Sequence, residues 1–263
     1  MSYYGVHWDL ARLLLDEVTP DPGADDRVGQ WYRIIAALFA SKAMHAESLT
    51  HLARARQLFP ADARILAASG RLHESFAAPA VQQFLEGGAG VQASRTLMGS
   101  SRSNLRQAEI FFSKAVELDA GFAAARLHLG RVLGLEGRHE DAASQLRRAA
   151  DTADDSLTRY YAWLFLGVEQ QALLDADRAR ESFGRAAALY SRAQSPQLAL
   201  GQLARRQGDR PGALAAIQRV LALSVVDRAS EDPWSTYLSG GVAEAQTQLS
   251  ELRALLFLPR DEH

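Results

Sequence analysis

Residues 124–150 read AARLHLGRVLGLEGRHEDAASQLRRAA, and this stretch decides the fold. Gly130 is followed by Ala142, Leu146 and Ala149, at offsets of 12, 16 and 19 residues. The same offsets carry Gly167 to Ala179, Phe183 and Ala186, and Gly201 to Ala213, Ile217 and Val220. Near the start of the chain, Ala36, Ser48, Leu52 and Ala55 repeat them again. A small residue met twelve positions later by another suits two antiparallel helices that cross closely. The apolar residues at 16 and 19 then line one face of the second helix. Self-similarity with a period of about 34 residues is the mark of a helical solenoid.

Working outward, the repeats are expected at about 123–156, 160–193 and 194–227, with polar turns Glu136-Gly137-Arg138, Leu174-Asp175-Ala176 and Gln207-Gly208-Asp209. The step from Gly130 to Gly167 is 37 residues, which places three extra residues in the Asp151–Leu157 turn. An earlier repeat runs from Gly29 to Asp62, closed by Pro60, where a proline stop is common after a helix. A new first helix follows over Ala63–Phe76. Twelve and sixteen residues after Gly70 stand Gln82 and Glu86, which do not suit a buried face. The period therefore breaks over 77–103. Either this is an insertion, or it holds two degenerate helices, Pro79–Glu86 and Val91–Met98, that keep the alternation in phase. The next second helix begins near Asn104 and presents Ala108, Phe112 and Ala115.

The ends read as additions to the array. Val6–Val18 forms an amphipathic helix stopped by Thr19-Pro20-Asp21-Pro22-Gly23. Beyond Val226, Asp232-Pro233-Trp234 with Tyr237 precedes a last helix from Val242 to Leu256, whose apolar face would cap the final repeat. The expected organisation is an N-terminal helix and linker over 1–28, a solenoid over 29–227, and the Asp-Pro-Trp segment with its capping helix over 228–263.

Composition narrows the function classes. The net charge of −2 gives no overall attraction to nucleic acid or anionic membrane, and neither is expected as a partner. Lys and Arg together number 29, yet only Lys42 and Lys114 are lysine. Such a bias follows from a GC-rich genome as readily as from recognition. Cysteine is absent, which excludes disulfides, thiolate metal sites and cysteine nucleophiles. The N-terminus lacks the basic start and apolar core of an export signal. The longest apolar stretch, Tyr160–Val168, falls far short of the roughly 20 residues of a membrane span. A cytoplasmic protein is the expectation, with a periplasmic address the alternative if an export signal is missing from this chain.

The residues now assembled resemble the tetratricopeptide repeat (TPR) family, in the form of a bacterial-type scaffold. Leu129-Gly130, Gly137-Arg138, Ala142 and Leu146 stand in the family's usual places, and Trp163-Leu166-Gly167 matches its Trp-Leu-Gly element. The resemblance covers 29–76 and 104–227. It implies an all-α, right-handed solenoid of antiparallel helix pairs whose first helices line a concave, partner-binding surface. One TPR subclass grips a C-terminal carboxylate with Lys and Asn on those helices. Here the corresponding residues are Leu127 and Arg131, Leu164 and Val168, and Leu198 and Gln202, so chaperone-tail binding is not implied.

On the inner helices, Arg33, Arg64, Arg71, Arg131, Arg205 and Arg206 would share the concave side with Tyr161, Gln171 and Gln202. Converging guanidinium groups suit carboxylates or phosphates, because each can form two parallel hydrogen bonds. One reading is a groove for an acidic peptide or protein tail; the other is a solvated arginine set paired with neighbouring acids. Trp234 and Tyr237 admit two roles as well: a hook docking to a partner, or aromatics folded over the last repeat. The seven histidines show no spacing of three or four on one helix and no His-Glu-x-x-His, so no metal site is expected. Gly88-Ala89-Gly90-Val91-Gln92-Ala93 follows no strand, which removes its likeness to a dinucleotide loop, and no cofactor is expected. The leading expectation is a non-catalytic adaptor binding a protein or peptide. A regulatory or substrate-presenting subunit of a separately encoded enzyme is the alternative, and a hydrolase built on 77–103 ranks last. The oligomeric state is not legible.

Overall fold

The computed structural model describes residues 21–41, 44–78, 100–223 and 232–237. Among them are ten α-helices, two short 3-10 turns at Pro22–Ala24 and Pro233–Thr236, and no strand. The helices are α1 (Asp26–Ser41), α2 (His45–Leu58), α3 (Ala63–Ala77), α4 (Ser101–Leu118), α5 (Ala123–Leu135), α6 (His139–Thr152), α7 (Ser156–Ala172), α8 (Ala176–Leu189), α9 (Gln194–Arg206) and α10 (Arg210–Ala222). The expected helices over Val6–Val18, Pro79–Glu86, Val91–Met98 and Val242–Leu256 lie outside the described residues. Two compact units divide between Ser101 and Arg102.

In the first unit, Ala36, Ser48, Leu52 and Ala55 are all buried where α1 and α2 cross. The Ser48 hydroxyl donates to the Ala36 carbonyl at 2.8 Å, so the small polar residue is satisfied within the seam. Around it Val28, Trp31, Ile34, Ile35, Phe59 and Ile65 form the core. His51 is buried with its ring stacked on Phe39, at 5.2 Å between centroids. The Asp62 carboxylate opens α3 by accepting from the Arg64 and Ile65 amides.

The second unit repeats one hairpin. Gly130 of α5 lies against Leu146 of α6, and Gly167 of α7 lies against Phe183 of α8. Leu146 and Phe183 are fully buried, each burial contributing about 1.5–3 kcal/mol. Ala108, Phe112 and Ala115 of α4 are likewise fully buried. The last pair departs from the expected seam. Ile217 of α10 is 49% exposed, and Gly201 of α9 instead approaches Ala216, which is buried with Val220. The contact has moved one residue back, which turns the branched side chain out of the crossing.

The turns within these pairs share one geometry. After α5 the Arg138 amide donates to the Leu133 carbonyl and the Gly137 amide to Gly134. The same two bonds close α7, from Asp175 to Gln170 and Leu174 to Gln171, and α9, from Asp209 to Ala204 and Gly208 to Arg205. This Schellman closure needs a positive φ at its hinge residue. Gly137 and Gly208 supply it at φ 82° and 76°, whereas Leu174 is held at φ 61°. The carboxylates of Asp175 and Asp209 then cap α8 and α10.

The extra residues between the first two regular repeats do not lengthen a loop, as the sequence suggested. α5 and α9 begin seven residues before Gly130 and Gly201, while α7 begins eleven before Gly167. One added turn, capped by Asp155 accepting from the Thr158 amide, extends α7 at its N-terminus. A buried acid also locks adjacent pairs. Glu169 of α7 sits under Gly134 of α5 and meets His139 Nδ1 of α6 at 2.7 Å.

Candidate functional site

The added turn of α7 matters because it carries Tyr160 and Tyr161 inside a helix rather than at its frayed start. Together with His128 and Arg131 of α5, Phe165 of α7 and Ser195 of α9, they form one surface on the first helices of three successive pairs. The chain itself returns to that surface: Asp232–Tyr237 lies along it, and the hydrogen bond from Tyr160 to Asp232 spans 72 residues of sequence.

Asp232 is the centre of the arrangement, only 3% exposed. Its Oδ1 accepts from the Tyr160 hydroxyl at 3.0 Å and from the Trp234 amide at 3.0 Å. Its Oδ2 accepts from the Ser195 amide at 2.8 Å and the Ser195 hydroxyl at 2.7 Å. Hydrogen bonds to an ionised acceptor contribute about 1.5–3 kcal/mol, more than neutral ones, and here they share out both oxygens. Ser195 lies in the first turn of α9, where the free amides and the helix dipole favour negative charge. Burial, and after it the Asp232 carboxylate, push the Tyr160 hydroxyl well above its ordinary pKa, so the phenol remains a donor.

Aromatic packing holds the rest of the segment. The Tyr161 hydroxyl donates to the Pro233 carbonyl at 2.5 Å. Tyr237 lies edge-on to Tyr161 and Phe165, each with centroids 5.0 Å apart, and its hydroxyl meets His128 Nδ1 at 2.9 Å. Trp234 stacks on Tyr237 and meets Phe165 edge-on at 5.4 Å, yet remains 41% exposed. The Arg131 guanidinium lies 4.8 Å over the other ring partner, Phe165. Aromatic pairs of this kind contribute about 0.5–1.5 kcal/mol beyond their buried area.

The other expected residues are spread more widely. Arg33, half-buried on α1, and the exposed Arg64 and Arg71 on α3 belong to the first unit. In the second unit Gln202, Arg205 and Arg206 are exposed on α9. Gln171 is half-buried on α7, with its Nε2 hidden from solvent and without a hydrogen-bond partner. Only Tyr161 and Arg131 of that set join Trp234 and Tyr237 at the surface just described. Sequence reasoning named Asp232 only as part of Asp232-Pro233-Trp234, without a role for its carboxylate, and assigned Tyr160, Phe165, Ser195 and His128 to no site. Asp232-Pro233, an aspartate beside a helix-initiating proline, was the signal within reach. Among the described residues no helix is long and apolar enough to cross a membrane.

No family model matches this sequence, and no curated protein does. Solved structures do match the fold. The Pseudomonas aeruginosa PilF structure superposes with a TM-score of 0.58 at 16% identity, over 88% of this chain and 92% of that one. A MamA fragment from Desulfovibrio magneticus RS-1 gives 0.56 at 18% identity, over 76% and 96%. The Cut9-Hcn1 hetero-tetramer of the APC/C gives 0.52 at 18% identity, covering 94% of this chain and 40% of that one. These neighbours contain tetratricopeptide repeats, and the chain is an all-α, TPR-like solenoid.

Proposed function

We propose that the protein is a non-catalytic scaffold that binds a protein or peptide partner on the inner helices of its array. The observation that carries this reading is the segment Asp232–Tyr237. α5, α7 and α9 already hold a stretch of polypeptide by a carboxylate, a backbone carbonyl and two aromatic rings. A surface that receives one stretch of chain through such general contacts has the chemistry to receive another. The repeat neighbours favour the same reading, since helical arrays of this kind present extended surfaces to partners.

Arg205 and Arg206 are exposed on α9, and the Arg131 guanidinium of α5 lies over Phe165. They favour a partner carrying carboxylates, through paired hydrogen bonds. Arg33, Arg64 and Arg71 would extend the same preference over the first unit. The test is capture from native cells with a photocrosslinking residue at Gln202. A discrete protein adduct that weakens in an Arg131→Ala/Arg205→Ala chain is the expected result. An unchanged adduct in that variant removes the acidic-partner reading, and no adduct at any inner position removes the scaffold itself.

A further inference from the structure

We infer that the inner surface of α5, α7 and α9 is a receptor for an Asp-Pro-Trp-x-x-Tyr segment, and that a partner carrying this pattern binds by displacing Asp232–Tyr237. The inference deepens the scaffold reading, on which it rests, by naming the ligand class. Three features define the pattern. The first is a carboxylate socket, formed by the Tyr160 hydroxyl and by the Ser195 amide and hydroxyl. The Tyr160 donor on one oxygen and the two Ser195 donors on the other match the fork of an aspartate carboxylate. The second is the Tyr161 hydroxyl, which donates to the carbonyl of the next residue, Pro233. A proline there fixes the backbone and lets the aspartate cap its own turn through the Trp234 amide. The third is an aromatic shelf of Phe165, Tyr161 and His128, on which the segment's two aromatic rings, Trp234 and Tyr237, stack on each other.

The resident segment is held by side chains rather than by a sheet or a long helix, and Trp234 keeps 41% of its surface in water. An occupant with this much exposed aromatic area is open to exchange with another that reaches the same socket. The Arg131 guanidinium over Phe165 stands beside the shelf and suits a partner with acidic residues around its motif.

The test uses the full chain and a labelled peptide of residues 231–238, EDPWSTYL. In an Asp232→Ala/Trp234→Ala/Tyr237→Ala chain the socket is vacant. The peptide is expected to bind this variant at least tenfold more tightly than the wild-type chain. A peptide with alanine for its aspartate should lose at least tenfold, and so should the original peptide when Tyr160→Phe is added to the vacated chain. Helical content by circular dichroism reports whether the vacated chain folds; if it does not, Trp234→Ala alone serves, with the same order of affinities expected. Equal binding to wild-type and vacated chains, or binding to neither, overturns the inference. Concentration-dependent dimerisation of the wild type that the triple variant abolishes would assign the socket to a second copy's segment, and would overturn it as well. A crosslinked partner at Gln202 whose capture is indifferent to the peptide would leave the scaffold reading standing while the receptor inference fails.

Discussion

At the residue scale the seam glycines are not equivalent. A Cβ on Gly167 would lie 2.5 Å from Phe183, and one on Gly130 would lie 2.6 Å from Leu146, both too close without movement of a fully buried side chain. On Gly201 the nearest atom is Ala216 Cβ at 3.3 Å. Gly167→Ala is therefore expected to destabilise by about 1–3 kcal/mol, as overpacking does. Gly201→Ala should fall near zero, because relief of glycine's helix penalty offsets the tight contact. Denaturant midpoints of the two variants check the contrast, and equal losses would contradict it. Leu174 offers the opposite case. Its exposed side chain is held at positive φ where Gly137 and Gly208 stand in the sister turns. Leu174→Gly should raise stability by about 1 kcal/mol, since the left-handed conformation costs other residues roughly that much. A lowered melting temperature would show that the leucine side chain has a contact worth more than the strain.

At the scale of elements, the hairpins were legible and their exceptions were not. The offsets of 12, 16 and 19 found the crossings at Ala36, Gly130 and Gly167 because close approach demands small residues wherever helices meet. Ile217 broke the rule, since Ala216 beside it serves the same crossing once the helix turns slightly. The added turn of α7 was invisible because Ser156–Arg159 is as compatible with a polar loop as with a helix start. The return of Asp232 to Tyr160 was out of reach for a different reason: no local period links residues 72 apart. That bond makes its own prediction. Tyr160→Phe deprives Asp232 Oδ1 of one donor and should cost about 1–3 kcal/mol. In an Asp232→Ala background the same change should cost much less, and a thermal-melt cycle across the four chains measures the difference. Additive losses would mean that the tyrosine acts through packing alone.

At the scale of the molecule, acid should loosen the first unit. Burial holds the imidazoles of His45 and His51 below their usual pKa, outweighing the nearby Glu47 carboxylate. The unfolded chain therefore takes up these protons first as pH falls. The stability tied to the neutral rings is full above the ordinary histidine value of about 6.5 and declines below it, towards the lowered folded values. Hydrogen exchange in α1 and α2 should accelerate between pH 7.5 and 5.5, and His51→Phe, which keeps a ring against Phe39, should blunt the change. Exchange that ignores pH beyond its intrinsic chemistry would refute this. A longer reach belongs to the chain's own occupancy of its inner helices. An arriving partner meets an empty socket only in the fraction of molecules whose tether has let go, so its apparent affinity is the intrinsic one divided by that fraction. Its observed association rate then saturates at the speed of release, and any event that tugs on the residues beyond Tyr237 becomes a throttle on assembly.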